Sequence, residues 1–173
     1  QARIRLHPTL PPQPRATMRV EFEYERGGAL AYLAAWDVRR ARVFGRCENT
    51  TGIEPFGRLV QQVMEQEPYR SAARVFWIVD NGSSHRGAAA VKRFQAAYAN
   101  LHLVHLPVHA SWLNQVEIYF SVIQRKVLTP NDFTSLPEVA HRLLAFQDLY
   151  EQTAKPFEWR FTRADLQALL SRL

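Results

Sequence analysis

Cysteine is almost missing: Cys47 stands alone in 173 residues. A single thiol excludes an internal disulfide and any four-cysteine zinc site, and it fits an intracellular, reducing compartment, read here as the cytoplasm. Long apolar runs are missing too. None reaches the roughly 18 residues that a membrane span needs, and the N-terminus lacks the apolar core of a secretory signal. A soluble, unexported protein is expected. Acidic residues are in deficit, 16 Asp plus Glu against 22 Lys plus Arg, which leaves a formal charge of +6. Apolar residues are not scarce: at 47% of the chain they can fill a core, which excludes disorder over most of the length and suits one domain. The chain opens on Gln1 in place of Met, as expected of a fragment with sequence upstream.

The positive excess is spread along the chain, at Arg3, Arg5, Arg15 and Arg19, at Arg39, Arg40, Arg42 and Arg46, and at Arg86, Lys92, Arg93, Arg125 and Lys126. A folded basic domain attracts polyanions, because each neutralised phosphate releases condensed counterions. Nucleic acid is therefore the leading partner class, with a merely soluble basic protein as the plain alternative.

Residues 1–17 hold four of the ten prolines and no apolar period, so residues 1–19 read as an extended arm before a domain over 20–173. Alternation from Val20 to Glu25, ended by Gly27-Gly28, predicts a strand and a turn. The apolar run Ala29–Trp36 predicts a strand buried on both faces, and Ala41–Cys47 a third, together a three-strand meander. Helices are expected over Ile53–Gln66, Gly87–Asn100, from about Leu113 to Val127, from Ser135 to about Tyr150, and after Thr162 with Leu166, Leu169 and Leu170 as its stripe. Ser135 and Glu138 form a capping box around Leu136-Pro137. Short apolar strands are expected at Arg74–Val79, buried and central, and at Leu101–Leu106.

Asp80 closes the most apolar strand, where open α/β sheets place ligands; the plain alternative is an Asp-Asn-Gly turn. Glu117 shares a helical stripe with Asn114, Ser121 and Gln124. These are polar without being the Lys and Glu that decorate solvent, which favours a lined site over a solvated face. Glu21, Glu23 and Glu25 read as a solvated strand face, and Asp37 as a turn residue. His102, His105 and His109 lack the partners of a zinc site and read as structural or phosphate-facing. Trp112 is read as a core anchor beneath the Glu117 helix.

Two strings, Val79-Asp80-Asn81-Gly82-Ser83-Ser84-His85 and Ser111-Trp112-Leu113-Asn114-Gln115-Val116-Glu117, with Pro107 between them, resemble the core of the DDE transposases of bacterial insertion sequences, mariner-type superfamily. Lys155-Pro156-Phe157-Glu158-Trp159 resembles that family's Lys-Pro-Phe-x-Trp segment. The resemblance implies an α/β, ribonuclease H-like fold: a mixed sheet flanked by helices. It implies metal-dependent DNA cleavage and strand transfer by three carboxylates, with Asp80 second and Glu117 third, holding Mg²⁺ or, as a substitute, Mn²⁺. Asn81, His85 and Asn114 would support the site, and Arg86, Arg125 and Lys126 would contact DNA. Protomers would pair as a homodimer on two DNA ends. The first carboxylate belongs on an opening strand just upstream of a segment like Gln1-Ala2-Arg3, so this fragment is expected to be inactive alone. The alternative is a non-catalytic, DNA-binding remnant of a truncated element.

Overall fold

The structure, a computed structural model, describes residues 2–108, 110–158 and 162–171. Among the described residues, six strands and five helices run in the order β1 (Arg3–Arg5), β2 (Tyr24–Arg26), β3 (Ala31–Asp37), β4 (Arg42–Glu48), α1 (Ile53–Met64), β5 (Val75–Val79), α2 (Gly87–Ala97), β6 (Leu101–His105), α3 (Val116–Lys126), α4 (Leu136–Thr153) and α5 (Arg163–Leu170). A 3-10 turn at Ser111–Leu113 precedes α3. This is the mixed α/β architecture the sequence implies. The strands form three two-stranded ladders: β1–β2 and β3–β4 antiparallel, β5–β6 parallel.

The hairpin β3–β4 is sandwiched, and its alternation explains the apolar run. Leu33 and Ala35 pack with Phe44 against α1, while Tyr32, Ala34 and Trp36 pack with Val43 against α3 and α4. Helix α1 also covers β5: its Phe56, Leu59, Val60 and Val63 share one core with Trp77 and Val79 and with Ala90 and Phe94 of α2. One helix thus spans two strand pairs. Among the described residues β3 pairs with β4 alone and β5 with β6 alone.

The predicted meander is corrected. Strand β2 pairs back onto β1, not onward to β3, because the arm offers an extended Arg3–Arg5 edge whose guanidiniums lie 4.6 and 5.6 Å from the Tyr24 ring centre. The arm also doubles back, with backbone bonds joining Leu10 to Arg19 and Gln13 to Ala16. The expected burial of Arg74–Val79 holds for Trp77 and Val79 only. Phe76 and Ile78, on the opposite face of the strand, are 61% and 49% exposed. Helix α3 is seated by Val116, Tyr119 and Ile123. Tyr119 is fully buried, whereas Trp112 is 44% exposed and is not the anchor.

Local signals hold where they were strongest. Ser135 Oγ accepts from Glu138 N at 3.3 Å, while the Glu138 carboxylate reaches back to the Thr134 N–H at 2.7 Å. Thr162 and Asp165 repeat the device at α5. The Leu169, Leu170 and Ser111 side chains lie outside what is described, as do His109 and Trp159. Phe157, from the Lys-Pro-Phe segment, stacks on Trp36 with ring centres 4.7 Å apart. Asp37 is a turn residue, accepting from the N–H groups of Arg39 and Arg40 at 2.9 and 3.0 Å and from the Tyr69 hydroxyl at 2.5 Å.

Two predictions arise here. A Cβ at Gly45 would fall 2.1 Å from Tyr32 Oη and 2.2 Å from Gln147 Oε1. Gly45→Ala is therefore expected to cost about 1–3 kcal/mol in a urea titration, through forced displacement of a bonded pair. The second concerns acid. Glu48 joins β4 to α1 by accepting from Arg58 Nη2 at 2.7 Å and Arg46 Nε at 2.6 Å. The Arg58 hydrogen bond, helped by the Arg46 contacts and opposed by desolvation, holds its carboxyl near a pKa of about 2 against an ordinary 4.5. Asp37 is lowered as well: burial opposes this, but the Tyr69 hydroxyl and the two turn N–H groups outweigh it. Because both are depressed in the folded state, their stabilisation is present above the unfolded carboxylate range and lost as pH falls through it toward about 2. Unfolding free energy followed from pH 7 downward should drop in that window, and Glu48→Gln should flatten the drop.

Candidate active site

The parallel pair β5–β6 sets the frame. Val79 is in register with His105, and Leu106 N donates to Val79 O at 2.8 Å, so both strands end side by side. Asp80 follows β5 immediately. The chain leaving β6 reaches the 3-10 turn and then α3, whose first turn carries Glu117. Asp80 thus stands at the carboxyl end of a parallel pair, where such sheets bind ligands, and Glu117 lies on the first helix that follows the other strand of that pair.

Asp80 is half exposed, at 48% of its side chain. Its Oδ1 accepts from Gly82 N at 3.0 Å and from His85 Nε2 at 2.6 Å. Burial raises its pKa, but the His85 hydrogen bond, the Gly82 N–H and the His85 charge together lower it below the ordinary value, so the group is ionised. Its Oδ2 has no partner among the described residues. Glu117 is exposed at the start of α3, and its carboxylate likewise has none; its backbone N–H donates to Asn114 O at 3.0 Å.

The other predicted residues divide. Asn81 Nδ2 donates to Leu106 O at 2.8 Å, tying the two strand ends together. His85 is brought onto Asp80. Asn114 contributes its carbonyl to the α3 start. Ser121 and Gln124 are exposed and bonded locally, Ser121 Oγ to Glu117 O at 3.0 Å and Gln124 Nε2 to Thr129 Oγ1 at 3.4 Å, so that half of the stripe is a solvated face. Arg86, Arg125 and Lys126 are all exposed, Arg86 beside His85 and the other two in the last turn of α3.

Three supports were not read from the sequence. His105 Nε2 donates to His85 O at 2.7 Å, Arg93 Nη2 donates to Ser84 O at 2.9 Å, and the Phe56 ring lies 4.5 Å from the His85 ring. The parallel register could have found His105, since it faces the residue before Asp80. His102 packs against Phe76, ring centres 5.5 Å apart.

Oxygen donors of this kind suit a hard divalent cation. Among the described residues, however, no group of three or more His, Cys, Asp and Glu side chains is gathered to hold one. Asp80 and His85 are in contact, but Glu117 does not join them in such a cluster among the described residues. Among the described residues no helix is long and apolar enough to cross a membrane.

A sequence model of the family described as DDE superfamily endonuclease matches residues 11–140. No curated protein and no solved structure matches the chain.

Proposed function

Since the chain belongs to the DDE superfamily of endonucleases, we propose that it is the catalytic domain of a transposase of a bacterial insertion sequence, cutting and joining DNA ends with Asp80 and Glu117 as two of three metal-ligating carboxylates. The observation that carries this reading is the pair of partner-free carboxylate groups, Asp80 Oδ2 and Glu117, on segments leaving the same end of β5–β6. Mg²⁺ is the fitting cation, with Mn²⁺ as substitute, held by these oxygens and by a third carboxylate. Such ions, when bound, supply activation of the attacking oxygen and neutralisation of the leaving one in an in-line displacement.

The third carboxylate is proposed to lie on a strand alongside β5, whose edge away from β6 has no partner among the described residues. The chain's own residues do the remaining work. His85 and Gly82 hold Asp80 in its ionised form, and Asn81 fixes the strand ends. Exposed Arg86, Arg125 and Lys126 offer cations to the phosphodiester backbone, which positions DNA without reading its sequence. Pairing of two protomers on two DNA ends is part of the same proposal.

Binding to duplex DNA should therefore be steeply salt-dependent. Replacing Arg125 or Lys126 by Ala should weaken binding evenly across sequences and reduce the slope of log affinity against log salt by about 1 each. The function itself is tested by Mg²⁺-dependent nicking of supercoiled plasmid, using the chain joined to an upstream strand that supplies the third carboxylate. Asp80→Ala and Glu117→Ala should each abolish nicking; nicking unchanged in both would refute the site. The rival reading, a DNA-binding protein without cleavage of its own, is favoured by the lack of a three-ligand cluster among the described residues. It predicts salt-sensitive binding with no nicking even when the strand is supplied.

A further inference from the structure

Resting on the reading of Asp80 as a cation ligand, we propose that His85 is a positioning residue: its Nε2–H pins Asp80 Oδ1 so that Oδ2 is presented in one orientation. A half-exposed Asp at a strand end is otherwise free to turn about both side-chain bonds, and ordering it on binding would cost affinity.

The ring itself is held on every side that the structure describes. Nδ1 pairs with the Ser84 hydroxyl at 2.9 Å, which donates to a neutral ring or accepts from a charged one. Phe56 of α1 lies against the ring at 4.5 Å and 42°. Gly82 leaves room for it: a Cβ there would sit 2.9 Å from His85 Cε1 and 3.1 Å from Asp80 Oδ1. The backbone beneath is fixed from two elements, by His105 on β6 donating to His85 O and by Arg93 on α2 donating to Ser84 O. His85 is 12% exposed against 48% for Asp80, so the imidazole stands behind the carboxylate. Both ring nitrogens are already engaged, which separates this role from direct ligation.

Outer partners of a metal ligand, when lost, commonly weaken the site by about 10–100-fold. The test is a titration of the chain with Mn²⁺ alone, followed by the loss of the free-ion electron paramagnetic resonance signal. Melting temperature is measured in chelator on the same samples. Asp80→Asn should remove saturable binding. His85→Ala should weaken it about tenfold or more, and His85→Gln, whose amide N–H can replace Nε2–H, should recover to within about threefold of the parent. Gly82→Ala, which displaces the ring without deleting it, should resemble His85→Ala.

The outcomes separate the two claims. If Asp80→Asn abolishes binding but His85→Ala binds as tightly as the parent or tighter, His85 is idle or competes with the ion, and the positioning role is wrong while the site stands. If His85→Gln binds no better than His85→Ala at an unchanged melting temperature, the hydrogen bond is not the means and the proposal fails. If the parent shows no saturable binding, or Asp80→Asn leaves it unaltered, the site reading falls and takes this inference with it.

Discussion

Asp80→Asn is expected to lower Mg²⁺-dependent plasmid nicking by at least about 10²-fold, in a polypeptide that supplies the third carboxylate, the size seen when one preorganised charge-stabilising group is removed. The substitution is nearly isosteric. The Asn carbonyl can still accept from His85 Nε2 and Gly82 N, the two bonds that Asp80 Oδ1 makes. An amide NH₂ replaces Oδ2, and that group cannot ligate a cation. The loss therefore isolates the oxygen that has no protein partner. Since the loop's own bonds persist, the melting temperature should move by no more than about 2 °C, as for an exposed substitution that breaks no packing. Glu117→Gln should give a comparable loss by the same logic. A large drop in melting temperature would mean that Asp80 is a structural turn residue, the reading its Asp-Asn-Gly context also allows.

Tyr119→Ala is expected to destabilise the fold by about 3–5 kcal/mol, the range for truncating a buried aromatic side chain. That is a large share of the roughly 5–15 kcal/mol by which a domain is stable. Tyr119 has no exposed surface, and its ring lies 5.1 Å from Tyr150 of α4 and 6.3 Å from Phe120. It holds α3 onto the hairpin and α4 at once. Its hydroxyl lies 3.2 Å from that of Tyr32, which donates to Gln147 Oε1 at 3.0 Å. Burial, ahead of the nearby charges, keeps the Tyr119 hydroxyl un-ionised, its pKa pushed up to about 12, so the contact persists at all ordinary pH. Tyr119→Phe keeps the ring and should cost only about 0.5–1.5 kcal/mol. Because Glu117 lies on the same helix two residues earlier, the Ala variant should also lower any Mn²⁺ affinity, while Phe should not. Urea titrations of the three proteins would check the ranking.

Several elements could be read in advance because their signals are local. The period of Phe56, Leu59, Val60 and Val63 places α1 to within two residues, and the Ser135–Glu138 box fixes the start of α4. The strand β5 and its closing Asp80 follow from a β-branched and aromatic run that stops at Asp80-Asn81-Gly82. What escaped is non-local. Nothing within Val20–Glu25 indicates that its partner is the arm, since either neighbour in sequence can supply an edge. The anchoring role fell to Tyr119 and not Trp112, because Tyr119 lies between Val116 and Ile123 on the buried side of α3 with its polar tip met by the Tyr32 hydroxyl. Of the candidate residues, Asp80 and His85 share one string and meet in the structure, and the string that ends at Glu117 places it at the start of α3. The brace of Arg93, His105 and Phe56 was not legible, as it comes from three separate elements.

The most direct test is a crystal of the chain soaked in Mn²⁺ and measured at the manganese absorption edge. The account predicts an anomalous peak within roughly 2.0–2.6 Å, the span of oxygen–cation distances, of both Asp80 Oδ2 and a Glu117 carboxylate oxygen. A map in which the two carboxylates lie more than about 10 Å apart, with any bound ion touching one of them alone, would contradict it.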